Sequence, residues 1–337
     1  MSNRQISIAI DAMGGENSPY KTLKGSEIFN TQYPNVDLIF FGEKEKIEKI
    51  LIDFNINLLN YTIINCDQNV ADTDNASTIL RSRKESSIYK GLSFVKENKD
   101  SGFVSAGNTA ALMILSRLIL GMIEGIDRPA ICSVIPNRNN YSLMLDLGAN
   151  VNVNPINLFQ FALMGYSYYS IINNNPNPKI GIINIGTENN KGLDILQEAT
   201  KLIENSFLKK FFIGFVEPDK ITLGECDIMI SDGYTGNIIL KTAEGMSDFI
   251  TFNLKKLFKK SILNKIIFKT LERDFIKFKE EINPEEYNGA TLIGINGISV
   301  KSHGSASPYS FSCALDRCYG FVKNNLNFKI TETIKEL

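Results

Sequence analysis

Residues 101–113 read SGFVSAGNTAALM, a short apolar run that ends in a small polar loop and resumes with helical periodicity. The pattern predicts a strand, a glycine turn and a helix over residues 110–120. About four backbone N–H groups at a helix N-terminus lack partners, and the helix dipole favours negative charge there. The stretch therefore predicts an anion site, with phosphate as the expected guest. A capped strand-to-helix turn without any ligand would show the same pattern.

The composition is that of a chain large enough to bury a full core, with 337 residues, 43% hydrophobic and 22% charged. A net charge of -1 argues against nucleic acid as a partner, because domains that bind it usually carry a basic excess. No apolar run is long enough to predict a membrane-spanning helix. Five cysteines without a Cys-x-x-Cys pair, and no secretory signal, favour reduced thiols, a cytoplasmic location and no metal site.

Strands alternate with helices along most of the chain. The expected strands are residues 6–10, 36–41, 61–65, 102–104, 130–134, 142–146, 179–184, 211–216 and 228–231. The expected helices are residues 43–54, 86–96, 110–120, 157–172, 194–205 and 237–257. This alternation predicts an α/β fold with a mostly parallel sheet covered on both faces. Residues 173–178, NNNPNP, are either a hinge between two lobes or a long surface loop.

The loops after several predicted strands share one style, in which a small acceptor side chain stands beside glycine. They read DAMGGE at 11–16, DLGAN at 146–150, NIGTE at 184–188 and SDGYTGN at 231–237. Ligands of open α/β sheets bind beyond the carboxyl ends of the strands, so these loops are expected to form the rim of one cleft. The alternative is that α/β turns favour such residues without any ligand.

Neither a dinucleotide-binding glycine motif nor a P-loop occurs, so no nucleotide cofactor is expected. The single histidine, His303, stands two residues after Lys301 in KSHGS at 301–305. In a strand these two side chains would share a face and could meet one phosphate, or His303 could be a structural hydrogen-bonding residue.

Together the loops resemble the PlsX family of bacterial phosphate acyltransferases. The matching motifs are DAMGG at 11–15, VSAGNT at 104–109, LGANV at 147–151, NIG at 184–186, DGxxGN at 232–237 and KSHGS at 301–305. The resemblance implies that a long-chain acyl group passes from acyl carrier protein to orthophosphate, giving acyl phosphate for phospholipid synthesis. It also implies a homodimer without a cofactor and a three-layer α/β/α Rossmann-like fold, similar to phosphate acetyltransferases and isopropylmalate dehydrogenases. One catalytic domain over residues 1–337 is expected.

The resemblance also assigns roles to individual residues. Lys191 and Asn237 would stabilise the developing oxyanion, and Lys301 and His303 would add charge and donors at the phosphate. The substrate- and phosphate-binding set is Asp11, Gly14, Gly15, Ser105, Gly107, Asn108, Thr109, Asp146, Asn150, Asn184, Gly186, Glu217, Asp232, Gly233 and Gly236. Three acids of that set, Asp11, Asp146 and Asp232, are expected to order loops. Without the resemblance, Lys191 would be interpreted as a solvated loop lysine.

Three positions depart from the family pattern. Glu16 follows the double glycine where an aspartate is common, and Thr187 replaces an acid after NIG. Residues 215–218, FVEP, replace the usual Asn-Val-Glu-Gly, so only Glu217 is carried over from that motif.

A basic amphipathic helical segment is expected at about residues 246–282. Residues 251–269 hold six lysines and no acid, with apolar residues at helical spacing. The face formed by Lys255, Lys256, Lys259 and Lys260 suits an acidic carrier protein or an anionic membrane surface. The family resemblance implies transient contact of this segment with the membrane and with the downstream membrane acyltransferase. A solvated helix docked on the core is the alternative.

Other function classes stay open on the sequence alone. One is a small-acyl phosphate acetyltransferase or a decarboxylating dehydrogenase of the same fold, and another is a non-catalytic membrane scaffold. The arginine-rich helix and the metal-binding aspartates expected of such a dehydrogenase are not found. A scaffold would have no reason to keep phosphate loops.

Overall fold

A continuous sheet of eleven strands organises the computed structural model, which describes residues 5–336 apart from 69, 71–73, 75–77, 80–81, 174, 176, 189, 260–269 and 271–287. The strands are β1 (Ser7–Asp11), β2 (Asp37–Gly42), β3 (Tyr61–Asn65), β4 (Ser101–Ser105), β5 (Ala130–Asn137), β6 (Asn140–Leu145), β7 (Ile180–Ile183), β8 (Phe212–Val216), β9 (Ile228–Ile230), β10 (Ala290–Ile293) and β11 (Ile298–Lys301). Their order across the sheet is β3-β2-β1-β4-β11-β10-β5-β6-β9-β7-β8.

Helices cover both faces of the sheet. They are α1 (Tyr20–Gln32), α2 (Lys44–Asp53), α3 (Ser87–Glu97), α4 (Thr109–Leu120), α5 (Pro155–Ile172), α6 (Asp194–Glu204), α7 (Gly233–Lys259), α8 (Pro308–Lys323) and α9 (Leu326–Lys335). Alternate residues of β1 enter opposite cores: Ile8 and Ile10 pack with α1, α5 and α8, and Ala9 packs with α3 and α4. The expected three-layer α/β/α fold with a mostly parallel sheet is confirmed. Among the helices described, none combines the length and hydropathy that crossing a bilayer requires.

The predicted elements are present, with ends shifted by a few residues, but the sequence did not predict five others. Strands β10 and β11 are only four residues long and are separated by a loop that contains Gly294 and Gly297. Helix α1 buries Lys21, Thr22 and Ser26, so its core face is not apolar. Helices α8 and α9 were also not predicted. Residues 173–178 join α5 to β7 of the same sheet.

The direction of the strands changes in the middle of the sheet. Strand β10 is antiparallel to both β11 and β5, and β5 is antiparallel to β6. The other neighbouring pairs are parallel. Consequently β6, β7 and β9 run opposite to β1, β4 and β11. Through the register of the sheet, Leu145 at the end of β6 lies level with Val300 of β11 and Val104 of β4, so the loops after these strands leave the sheet in opposite directions from nearly the same level. The expectation that all the glycine loops share one rim assumed one strand direction throughout and stays a prediction.

Candidate active site

Residues 101–113 form the strand, turn and helix N-terminus on which the predicted anion site depends. Asn108 caps the helix, since its Oδ1 accepts a hydrogen bond from the backbone N–H of Ala111 at 2.8 Å. The backbone N–H of Gly107 donates to Ser105 Oγ at 3.0 Å, which fixes the turn before the helix. Thr109, the first helical residue, is exposed. The positive end of the helix dipole therefore faces open space at the end of β4.

Asp11 fixes the turn from the neighbouring strand. Its Oδ2 accepts a hydrogen bond from Ser105 Oγ at 2.6 Å, and its Oδ1 accepts one from the N–H of Met13 at 3.2 Å. The side chain is fully buried, and burial raises the pKa of Asp11 against the opposing effect of these hydrogen bonds. Asp11 thus orders the loop, as expected, and joins the ends of β1 and β4.

Gly14 lets the loop after β1 approach the loop after β4. A Cβ atom at this position would lie 2.5 Å from Asp11 Oδ2 and 2.6 Å from the backbone nitrogen of Gly107. Those distances leave no room for any side chain. Gly15, beside it, has a φ of +79°, a conformation that favours glycine.

The loop after β11 closes the third side of the site. The carbonyl oxygen of Gly304 accepts hydrogen bonds from the N–H of Glu16 at 2.9 Å and from Lys21 Nζ at 2.6 Å. His303 is exposed, and its Nδ1 lies 2.9 Å from Ser305 Oγ. Lys301 is half-buried at the end of β11, paired in register with Ser105.

These three loops enclose a cavity of about 620 Å³. The predicted residues that line it are Asp11, Gly14, Gly15, Gly107, Asn108, Thr109, Lys301 and His303. Sequence reasoning missed Lys241, which also lines the cavity although it comes from α7. Helical spacing could have predicted Lys241, because it stands one helical turn after Asn237 of the DGxxGN motif.

A second group of predicted residues surrounds the start of α7. The buried carboxylate of Asp146 accepts hydrogen bonds from the N–H groups of Ile131, Ala149 and Asn150 and from the side chain of Asn150, at 2.6 to 3.0 Å. Gly233 and Gly236 pack against it, and a Cβ on Gly233 would lie 2.8 Å from Asp146 Oδ2. Four donors saturate this carboxylate, so its role in the fold is to hold the loop.

Two further members of this group cap and flank α7. Asp232 accepts hydrogen bonds from the backbone N–H and the hydroxyl of Thr235 at 2.8 and 2.7 Å. The side chain of Asn237 is exposed and lies beside Gly148. Because Asn237 and Lys241 are four residues apart, both lie on the same face of α7, about 6 Å apart along its axis. Helix α7 therefore connects this second group to the cavity.

A third group lies farther along the sheet. Asn184 is buried and donates through Nδ2 to the carbonyl of Lys191 at 3.0 Å. Lys191 Nζ forms an ion pair with Glu188 at 2.7 Å, and this pairing raises the pKa of Lys191. Both side chains are about half exposed, and neither lines the cavity. Six strand spacings separate β7 from β4, which is roughly 30 Å.

The remaining predicted residues lie partly outside the described part of the chain. Gly186 packs on the stem of Lys191, and Glu217 stands before the 3-10 turn Pro218–Leu223, half-buried. Lys256 is exposed near the end of α7. The side chains of Lys255 and Lys259, residue Lys260 and most of the segment 246–282 lie outside the described residues.

The fold and the cavity define an α/β protein with an open cavity at a helix N-terminus, and comparison with known proteins identifies its family. A family model described as "Fatty acid synthesis protein" matches residues 6–329. Proteins named phosphate acyltransferase are similar along nearly the whole chain. The one from Clostridium tetani is 39% identical, with 98% of both chains covered. The one from Ehrlichia canis is 38% identical, with 96% of this chain and 98% of the relative covered. The chain belongs to this phosphate acyltransferase family and is an acyltransferase.

Solved structures support the fold. A phosphotransacetylase from Streptococcus pyogenes superposes with a TM-score of 0.64 at 16% identity, with 96% of this chain and 95% of the other covered. A phosphotransacetylase from Staphylococcus aureus gives 0.60 at 14% identity, with 99% and 94% covered. Identity this low establishes a shared fold alone.

Proposed function

We propose that the protein transfers a long-chain acyl group from acyl-acyl carrier protein to orthophosphate, releasing acyl phosphate and free carrier protein for phospholipid synthesis. The observation that carries this proposal is the cavity in which the N-terminus of α4, Lys301 and Lys241 surround one space. Backbone donors at a helix N-terminus and two ammonium groups suit an inorganic phosphate dianion. Membership of the phosphate acyltransferase family makes that anion a substrate.

The reaction depends more on positioning of the two reactants and on electrostatic stabilisation of the transition state than on acid–base catalysis. Orthophosphate is largely dianionic at neutral pH, by analogy with phosphate esters, whose second pKa is about 6. One phosphate oxygen attacks the thioester carbonyl carbon, a C–O bond forms, and the C–S bond breaks as the carrier thiolate leaves. A thiol pKa of about 8.5 makes that thiolate a good leaving group. Holding the two reactants in near-attack geometry can lower the barrier by roughly 7–11 kcal/mol.

The named residues divide this work. Gly107, Asn108 and Thr109 hold phosphate at the helix N-terminus, and Asp11 positions the turn through Ser105. Lys301 and the exposed His303 supply charge and donors around the anion, and Lys241, whose Nζ pairs with Glu244 at 2.7 Å, adds a further donor. Asn237, on the same face of α7 as Lys241, is the proposed donor to the thioester oxygen on the acyl side. We expect no acyl-enzyme intermediate, and mass spectrometry of the quenched enzyme would contradict this if it found an acylated side chain.

The acidic carrier is proposed to dock on the basic part of α7. Lys256 is exposed there, and the neighbouring lysines of the sequence add to the same charge. Attraction between exposed charges weakens with salt, so KM for the carrier substrate should rise with ionic strength. Contact of this segment with a membrane surface and with the downstream membrane acyltransferase belongs to the same proposal.

The deciding assay supplies acyl carrier thioesters of graded chain length with orthophosphate and traps acyl phosphate with hydroxylamine. We expect hydroxamate from long-chain thioesters, dependent on orthophosphate, and free carrier in equal amount. Lys301→Met should lower turnover about a hundredfold if its ammonium stabilises the reacting charge, and Lys323→Met, an exposed lysine of α8, should not. Product from acetyl thioesters alone would favour the small-acyl alternative. Product without orthophosphate would contradict the proposal.

A further inference from the structure

A second cavity of about 610 Å³ lies between α1, α8 and the β5–β6 hairpin. Its lining shares no residue with the cavity at α4. The volume falls within the range of about 300–1,000 Å³ that small-molecule sites occupy. Nothing in the proposed reaction uses this space.

One guanidinium group, that of Arg317 on α8, lines this cavity. Its Nη1 donates to the hydroxyl of Tyr168 at 3.3 Å, and its Nε is buried without a hydrogen-bond partner. No ion pair to Arg317 is found among the described residues, in which Asp316 instead accepts a hydrogen bond from the Tyr33 hydroxyl at 2.7 Å. A guanidinium withdrawn from water without a counter-ion is costly, so the arrangement favours an anion as ligand.

The rest of the lining combines polar and apolar side chains. The polar ones include Gln32, Asn140, Ser312 and Asn324. The apolar ones form the apolar wall of the cavity: Ile28 and Phe29 from α1, Val134 from β5, Ile171 and Ile172 from the end of α5, and Phe321 from α8. A ligand that satisfies both parts of the cavity has an anionic head and an apolar chain.

The charges of the lining limit the head group. Among the described residues that line the cavity, Arg317 is the one cation and exposed Asp316 is the one acid. A single guanidinium beside an acid suits a monoanion better than a phosphate dianion, which would meet no lysine or histidine here. A carboxylate also matches the planar, two-pronged geometry of a guanidinium.

We propose that this cavity is a second ligand site that binds a long-chain carboxylate, with the carboxylate on Arg317 and the chain along the apolar wall. The proposal does not depend on the proposed acyl transfer. It concerns a cavity separate from the one at α4. Binding measurements that use no thioester test it.

The test measures the dissociation constant of hexadecanoate, below its aggregation concentration, for the purified full-length protein and its variants. Arg317→Met keeps most of the apolar bulk but removes the charge, and we expect the dissociation constant to rise about tenfold or more. Arg128→Met is the matched control, because Arg128 is exposed and donates to the carbonyl of Asn152 outside this cavity. It should leave the dissociation constant unchanged.

A second variant fills the cavity without removing any charge. Gly320 lines the cavity inside α8, and a Cβ atom there would have no heavy atom within 4 Å. Gly320→Leu should therefore fold, keep or raise Tm, and abolish hexadecanoate binding. Because leucine favours helix over glycine, a loss of binding at unchanged Tm reports occupation of the cavity.

Several outcomes would overturn the proposal. The wild-type protein failing to bind hexadecanoate is one, and equal binding by Gly320→Leu is another. Hexadecanol binding as tightly as hexadecanoate would remove the role of Arg317. Displacement of hexadecanoate by saturating orthophosphate would place the ligand in the cavity at α4 instead. These binding measurements do not depend on the acyl transfer assay. A negative result in that assay would therefore contradict the proposed function without contradicting the second ligand site.

Discussion

Lys21 shows at the scale of one residue how the loop after β11 is fastened to α1. Its ammonium group is buried and donates to the carbonyl of Gly304, with Glu16 and Asp11 nearby. Burial lowers the pKa of Lys21 from its ordinary value of 10.5. Between the lowered pKa and 10.5, the folded protein binds fewer protons than the unfolded chain, so stability rises with pH across that window.

We therefore expect the free energy of unfolding of the wild type, relative to Lys21→Met, to increase as pH rises from neutral towards 10.5. Urea unfolding at a series of pH values measures this difference. Lys24→Met is the control on the same helix, because pairing with Glu27 raises the pKa of Lys24 and gives no such increase. A difference that stays flat with pH for Lys21→Met would contradict the effect of burial.

The sequence predicts a catalytic role for Lys191. Strand β7, which precedes its loop, lies roughly 30 Å along the sheet from β4 at the cavity. A transition-state donor should cost about a hundredfold in turnover when removed by Lys191→Ala. Lys220→Ala removes a comparable exposed loop lysine, one paired with Asp219 at 2.9 Å, and should leave turnover unchanged. Equal rates for both variants, measured by hydroxylamine trapping, would leave Lys191 as a surface lysine.

At the scale of an element, the cap of α4 can be separated from its binding function. Asn108 and Asn154 both cap helices, with Oδ1 accepting from a backbone N–H at 2.8 Å. Replacing either with alanine should lower the free energy of unfolding by about 1 kcal/mol. Only Asn108→Ala should also raise KM for orthophosphate, because only α4 opens into the cavity. Unchanged KM in Asn108→Ala, or an equal rise in Asn154→Ala, would contradict the assignment of the anion site.

The elements also show what the sequence could and could not predict. Apolar runs and helical spacing predicted β1, β4 and α4. Glycine beside a small hydrogen-bond acceptor side chain predicted the loops that line the cavity. Helix α1 was not predicted, because it buries a lysine, a threonine and a serine where an amphipathic pattern requires apolar residues. The reversal of strand direction was not predicted, because β10 is only four residues long and pairs with β5, a strand distant in sequence. Periodicity carries no information on pairing partners, so the single rim could not be tested from the chain alone.

For the whole molecule, α7 is the element that relates the two groups of loops. It begins against Asp146 in the half with reversed strands and carries Lys241 to the cavity in the other half. Beyond Lys241 the helix is largely exposed, including Met246, Phe249 and Ile250. Those three and Leu257 form a stripe on one side of the helix, with the exposed Asn253 between them, and a group of exposed apolar residues of this kind indicates an interaction surface.

We expect a second copy of the chain to cover this stripe, so the homodimer can be tested by light scattering. Ile250→Glu places a charge inside the stripe, and its desolvation should turn the dimer into a monomer at micromolar concentration. Phe252 is also exposed on α7 but lies about 120° around the helix from the centre of the stripe and about 160° from Ile250. The control variant Phe252→Glu should therefore remain dimeric. A monomeric wild type, or an Ile250→Glu variant that keeps the dimer mass, would show that something other than a second copy covers the stripe.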